Sequence, residues 1–125
     1  MKHLLDVNML LAAIWGDHVH NATAKAWLAD KSIVVCPIAE LGFLRVSTHP
    51  RGIGVSMVDA RLALERFVEE RKANRIPDDL PALDSKPQTA DQVTDHYLAD
   101  LAAKHGLKLA TFDTNIAHAA VELVR

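Results

Sequence analysis

With one cysteine in 125 residues, the chain cannot close a disulfide on itself. That fits a reducing compartment, and Cys36, inside "SIVVC", reads as core filler. Long hydrophobic runs are also missing. "MKHLL" followed by "MLLAAIW" has the outline of a signal peptide, but Asp6 and Asn8 break it, and no run approaches the ~18 apolar residues of a membrane span. The expected location is cytoplasmic. Aromatic residues make up only 5% of the chain, so no stacking platform for single-stranded nucleic acid is evident. Positive charge is not in excess either: the formal net charge of -2 carries no general nucleic-acid signature.

An apolar content of 50% argues against disorder, and the length suits one domain over residues 1–125. The charges are segregated. From Gly42 to Arg75 seven basic residues face four acidic ones, a balance of +3, whereas from Ile76 to Asp100 one lysine faces six aspartates, a balance of -5. Solvated helix faces beside an acidic loop explain this as well as a phosphate-binding surface beside a metal-binding one.

Short apolar runs alternate with longer helical patterns, which predicts a three-layer α/β/α domain around a mainly parallel sheet of four to five strands. "KHLLDV" reads as the first strand, "VNMLLAAIW" as a helix stopped by Gly16, and "NATAKAWLAD" as a second helix turning Ala22, Ala26 and Leu28 inward. "SIVVC" is the next strand. Pro37 opens a helix with an apolar face of Ile38, Leu41 and Leu44, and Ser56 with Asp59 caps another that runs to about Ala73. Thr89 and Gln92 form a second capping box, for a helix with an apolar stripe of Val93, Tyr97, Leu98 and Leu101 that ends at Gly106. "LKLATFD" is then a strand, "TNIAHAA" a short helix and "VELV" a last strand.

Asp6 stands out in its apolar surroundings, because a buried carboxylate needs a partner or a metal. It ends the first strand and Asp113 ends "LKLATFD"; open parallel sheets bind ligands outside the carboxyl ends of such strands, where the strand order reverses. Glu40 lies in the first turn after the second strand. Asp91 and Asp95 share one edge of the next helix's stripe, and helical geometry alone does not choose between them. Four carboxylates converging in one crevice repel one another unless a cation neutralises them, and Mg²⁺ or Mn²⁺ suits all-oxygen donors. Metal-assisted phosphoryl transfer follows as the expected chemistry. The balance between metal support and helix capping is even for Asn8, Thr111 reads equally as a supporting residue or a plain strand residue, and Ser47 and Thr48 read as helix-terminal caps. His96 and His118 lack metal-ligand spacing and read as structural.

These motifs resemble the PIN-domain ribonucleases, and among them the VapC-type toxins of toxin–antitoxin pairs. "LLDVNMLLA" matches their opening Asp-x-Asn, "CPIAELGFLRVSTHP" their glutamate motif, and "VTDHYLADLAAKHGLKLATFD" their third and fourth acidic motifs. The resemblance implies catalytic and metal-binding roles for Asp6, Glu40, Asp95 and Asp113, and so selects Asp95 over Asp91. It implies an Mg²⁺- or Mn²⁺-dependent endoribonuclease that uses a metal-activated water to leave 5′-phosphate and 3′-hydroxyl ends. Implied partners are an RNA substrate and a VapB-like antitoxin; Arg45 and Arg51, in the basic stretch from Gly42 to Arg75, are the residues put forward for RNA binding. Implied assemblies are a homodimer, and a heterotetramer or larger complex with the antitoxin.

A haloacid-dehalogenase-like phosphatase would want a second aspartate where Asn8 stands. A receiver-like signalling module would want adjacent acids at the first strand and a lysine after the last. A catalytically silent PIN-like domain that only binds a partner is the remaining alternative.

Overall fold

Three strands of this chain are apolar on both faces, and their place in the sheet explains why. The computed structural model describes residues 2–125. Strands β1 (Lys2–Leu5), β2 (Ser32–Val35), β3 (Asn74–Arg75), β4 (Lys108–Thr111) and β5 (Val121–Leu123) form one sheet in the order β3-β2-β1-β4-β5, with every neighbouring pair parallel. The central strands β1, β2 and β4 each bury their last three residues, as a parallel sheet covered on both sides requires. The helices are α1 (Val7–Ile14), α2 (Asn21–Leu28), α3 (Pro37–Thr48), α4 (Met57–Glu70) and α5 (Val93–Lys104). Helices α1, α3 and α4 pack on one another with α2 beside α1, while α5 packs on β1 and β4, completing three α/β/α layers.

From β1 the sheet grows through β2 to β3 on one side and through β4 to β5 on the other. The order therefore reverses between β1 and β4, where His3 pairs with Lys108 and Leu5 with Ala110. Asp6 and Asp113 leave the sheet at this point.

Several helix faces differ from expectation. On α3 the buried residues are Ala39, Phe43 and Ser47, and Leu41 is 64% exposed. Small residues decide this face, because α1 approaches closely here: a Cβ built on Gly42 would lie 2.4 Å from a methyl of Val7. Ser47 is tolerated in the core because its Oγ accepts the Trp15 indole N–H at 2.9 Å, so it is no terminal cap, and Thr48 bonds back to the Leu44 carbonyl. On α2 the buried residues are Ala24 and Leu28 while Ala22 and Ala26 are exposed; alanines contribute too little apolar area to set a face. Val93, at the first position of α5, is 51% exposed.

Three boundaries also move. Ser56 does cap α4 by accepting the Asp59 N–H at 3.1 Å, but the helix stops at Glu70, and Lys72 turns the chain with φ of 50°. Thr89 makes no side-chain cap; residues Ala90–Gln92 form a 3₁₀ turn, and Gln92 donates to the Asn115 carbonyl instead. The short helix expected in "TNIAHAA" is irregular, because Asp113 Oδ1 accepts the Asn115 N–H and His118 Nδ1 accepts the Ala120 N–H, fixing local turns.

The Gly42–Val7 approach gives a direct expectation. Gly42→Ala must push α1 from α3, at a cost of about 1–3 kcal/mol despite alanine's better helix propensity. Urea denaturation would read this as a lower midpoint at unchanged slope.

Candidate active site

Asp6 follows β1 directly and serves as N-cap of α1: its Oδ1 accepts the Met9 N–H at 2.7 Å. Asp6, and not Asn8, thus caps this helix, and Asn8 is exposed. The Asp6 carboxylate is only 1% exposed. Burial pushes its pKa up to about 7, against the opposing effect of hydrogen bonds from Thr111 and Met9, and the nearby charges of Asp95 and Asp113 add to the rise.

Thr111, the last residue of β4, is fully buried and serves both strand ends. Its hydroxyl bonds to Asp6 and accepts the backbone N–H of Asp113 at 3.0 Å. Asp95 sits in the first turn of α5, where burial and the charge of Asp113 raise its pKa. Asp91 lies in the preceding 3₁₀ turn and is exposed, so the start of α5 separates two residues that an uninterrupted helix would place on one face.

Glu40 stands apart from these three. Arg75 Nη1, at the end of β3, reaches its carboxylate at 3.1 Å. Burial raises the Glu40 pKa, Arg75 opposes the rise and Asp78 adds to it. Asp78 holds the N-terminus of α3 from 40 residues away by accepting the Ile38 N–H at 3.1 Å, because the N-cap residue Cys36 supplies no side-chain bond. Burial, with a smaller contribution from Asp78, pushes the Cys36 thiol up to about 12, which leaves it unreactive, as a core cysteine should be.

The donors suit a hard divalent cation: three mutually repelling carboxylates and a hydroxyl, with no thiol or imidazole among them. No group of three or more His, Cys, Asp or Glu side chains among the described residues stands ready to hold a metal. Mg²⁺ does not require such a cage, since it usually keeps several waters and takes only one or two protein carboxylates.

A family model described as the PIN domain matches residues 3–122. The chain belongs to the PIN-domain family. Among curated proteins this PIN domain is 34% identical to "Ribonuclease VapC38" of Mycobacterium tuberculosis, over 90% of the chain and 86% of that protein. It is 37% identical to "Ribonuclease VapC44" and 32% identical to "Ribonuclease VapC29" of the same organism, the shares being 97% and 92% for the former and 94% and 90% for the latter.

Two residues put forward for RNA lie away from the acids. α3 begins at the carboxyl edge of the sheet and runs from it, so Arg51, beyond its last residue, lies roughly 20 Å along the axis from Pro37. Arg45 and Arg51 instead line a shallow cleft with His49 and Gly52. Among the described residues, the cation that the PIN domain brings to one of the four candidate acids is Arg75. The register of a two-residue strand places it there, a pairing with no periodic signal in the sequence.

His96 and His118 have structural partners. Asp100 accepts from His118 Nε2 at 2.7 Å and lies 3.1 Å from His96 Nδ1, which also contacts Ser85. This clasp ties α5 to the loops on either side of it.

Proposed function

We propose that this PIN domain is an Mg²⁺- or Mn²⁺-dependent endoribonuclease acting as the toxin of a toxin–antitoxin pair. The observation that carries the reading is Asp6, a fully buried carboxylate at the β1/β4 switch point whose charge Asp95 and Asp113 make still more costly. Such a site gains most from a cation. The names of the relatives support ribonuclease as the activity and an antitoxin of the VapB kind as the partner.

Asp6, Asp95 and Asp113 would hold the cation, with Glu40 joining them from α3. When bound, the cation supplies an activated water and takes up charge on the phosphoryl and leaving oxygens. Thr111 orients Asp6 and, through the Asp113 backbone, fixes the spacing of the two strand ends. Met9 N–H keeps one Asp6 oxygen turned toward α1. With carboxylates and a cation where other ribonucleases use paired histidines, water and not the ribose 2′-hydroxyl is the nucleophile. The products then carry 5′-phosphate and 3′-hydroxyl ends, with no cyclic phosphate on the way.

A groove of ≈ 530 Å³ between α1, α2 and α4 suits an antitoxin segment. Ile14, Leu28 and Phe67 line it, and Lys25, Arg66 and Arg71 with Glu70 form its rim, which favours an amphipathic helix with an acidic edge. Homodimerisation, with a heterotetramer or larger assembly around the antitoxin, is proposed by the same likeness.

End-group analysis of RNA cut by the purified protein tests the reading. Expected are 5′-phosphate ends and complete loss of cleavage in EDTA. Cyclic 2′,3′-phosphate ends, or full activity in EDTA, would overturn it.

A further inference from the structure

Arg75 and Glu40 form a lopsided pair. The Arg75 side chain is 56% exposed and the Glu40 side chain 15%, so the cation faces outward and the anion inward. Of the five N–H donors of the guanidinium, the contacts to Glu40 use only those on Nη1, at 3.1 and 3.4 Å. Around the pair lies a cleft of ≈ 350 Å³, lined also by Leu44, Arg61, Leu64 and Glu65.

Position matters as much as charge. β3 pairs with β2 so that Arg75 is level with Val35, the last residue of β2. Arg75 therefore stands at the carboxyl edge of the sheet, the edge where Asp6 leaves β1. β1 is two strand spacings from β3, about 10 Å. At that spacing a phosphate beside the one under attack at Asp6 falls within reach of the Arg75 guanidinium.

We propose that Arg75 binds an RNA backbone phosphate flanking the one that is cut, and that Glu40 holds it in reserve until a cation draws that carboxylate away. The inference rests on the ribonuclease reading. The planar guanidinium suits phosphate as well as carboxylate, so one change of partner releases the donors. Metal and RNA then assist each other: the cation frees Arg75 for phosphate, and phosphate keeps Arg75 off Glu40. Because the coupling is one free energy, each ligand tightens the other equally.

The test uses Arg75→Gln in the full chain, with Arg75→Lys to restore the charge and Lys2→Gln, at the exposed start of β1 and away from its carboxyl end, as a remote control. Mn²⁺ affinity without RNA is read by calorimetry. Binding of a single-stranded RNA oligonucleotide is read by anisotropy over a salt series, with Ca²⁺ and again in EDTA. Arg75→Gln should bind Mn²⁺ roughly two- to fivefold more tightly, since a half-exposed ion pair no longer competes for Glu40. With Ca²⁺ its dependence of log affinity on log salt should be shallower by about 0.7, one phosphate contact on a single strand, and the difference should shrink in EDTA. Arg75→Lys should recover the slope, and Lys2→Gln should match wild type. An unchanged slope with Ca²⁺, or Mn²⁺ affinity no higher than wild type, would overturn the proposal. If wild type itself binds neither Mn²⁺ nor RNA, the ribonuclease reading fails, whereas binding of both by wild type and Arg75→Gln alike removes only the role of Arg75.

Discussion

Asp6→Asn is expected to make the metal-free protein more stable at neutral pH while abolishing its cleavage of RNA. In the unfolded chain the carboxyl titrates near 3.8, and in the folded protein near 7. Between those values the folded state holds the extra proton, so the contribution of Asp6 to stability is greatest below the unfolded value and is lost as pH rises through the folded one. A shift of about three units corresponds to a loss on the order of 4 kcal/mol. Asparagine caps a helix as well as aspartate does, so the variant keeps α1 and sheds the penalty. Denaturant melts in EDTA at about pH 8 and about pH 5 check this: the advantage of the variant should be large at the higher pH and mostly gone at the lower. Mn²⁺ should raise the stability of wild type and leave the variant nearly unmoved. Equal stability of the two proteins at the higher pH would mean that Asp6 carries no such strain.

The second large effect is expected at Phe43, among the largest fully buried side chains and stacked on Trp15 with centroids 5.7 Å apart. Phe43→Ala removes a fully buried ring that stacks on Trp15 where α3 meets α1, and the packed core around it can collapse only partly. The cost should be about 3–5 kcal/mol, a fall of roughly 10–20 °C in melting temperature for a domain of this size. Phe43→Leu should lose less than half as much. Because α3 carries Glu40 on its first turn, Mn²⁺ affinity measured below the melting range should fall in Phe43→Ala as well; a pure loss of stability with unaltered Mn²⁺ affinity would show that the helix start is held by Asp78 alone.

The strands and the reversal of strand order were legible because apolar runs and their spacing are properties of the chain itself. Asp6 declared itself by its neighbours, and Asp113 by its place at the end of "LATFD". The faces of α2 and α3 were not legible: Ala24 buries in place of Ala22, and Gly42 admits Val7 while Leu41 turns outward, because close approach of backbones outweighs side-chain hydrophobicity there. Separating Asp91 from Asp95 by geometry required the 3₁₀ turn at Ala90–Gln92, which an expected capping box at Thr89 obscured. The partners of Glu40 and Ile38, Arg75 and Asp78, come from distant segments. No local pattern records pairings that a two-residue strand and a proline-rich loop create in three dimensions.

The central position of β1 also has a consequence for biosynthesis. Its partner on the acidic side, β4, begins more than 100 residues later, where Lys108 meets His3. Loop-closure entropy makes so distant a pairing late. A chain still leaving the ribosome can pair β1 with β2 and form α1 to α4, yet Asp6 then lacks Thr111, Asp95 and Asp113. The crevice comes into being only once the chain has been made past Asp113, so a shorter nascent chain holds Asp6 without the acids and the hydroxyl that complete its site.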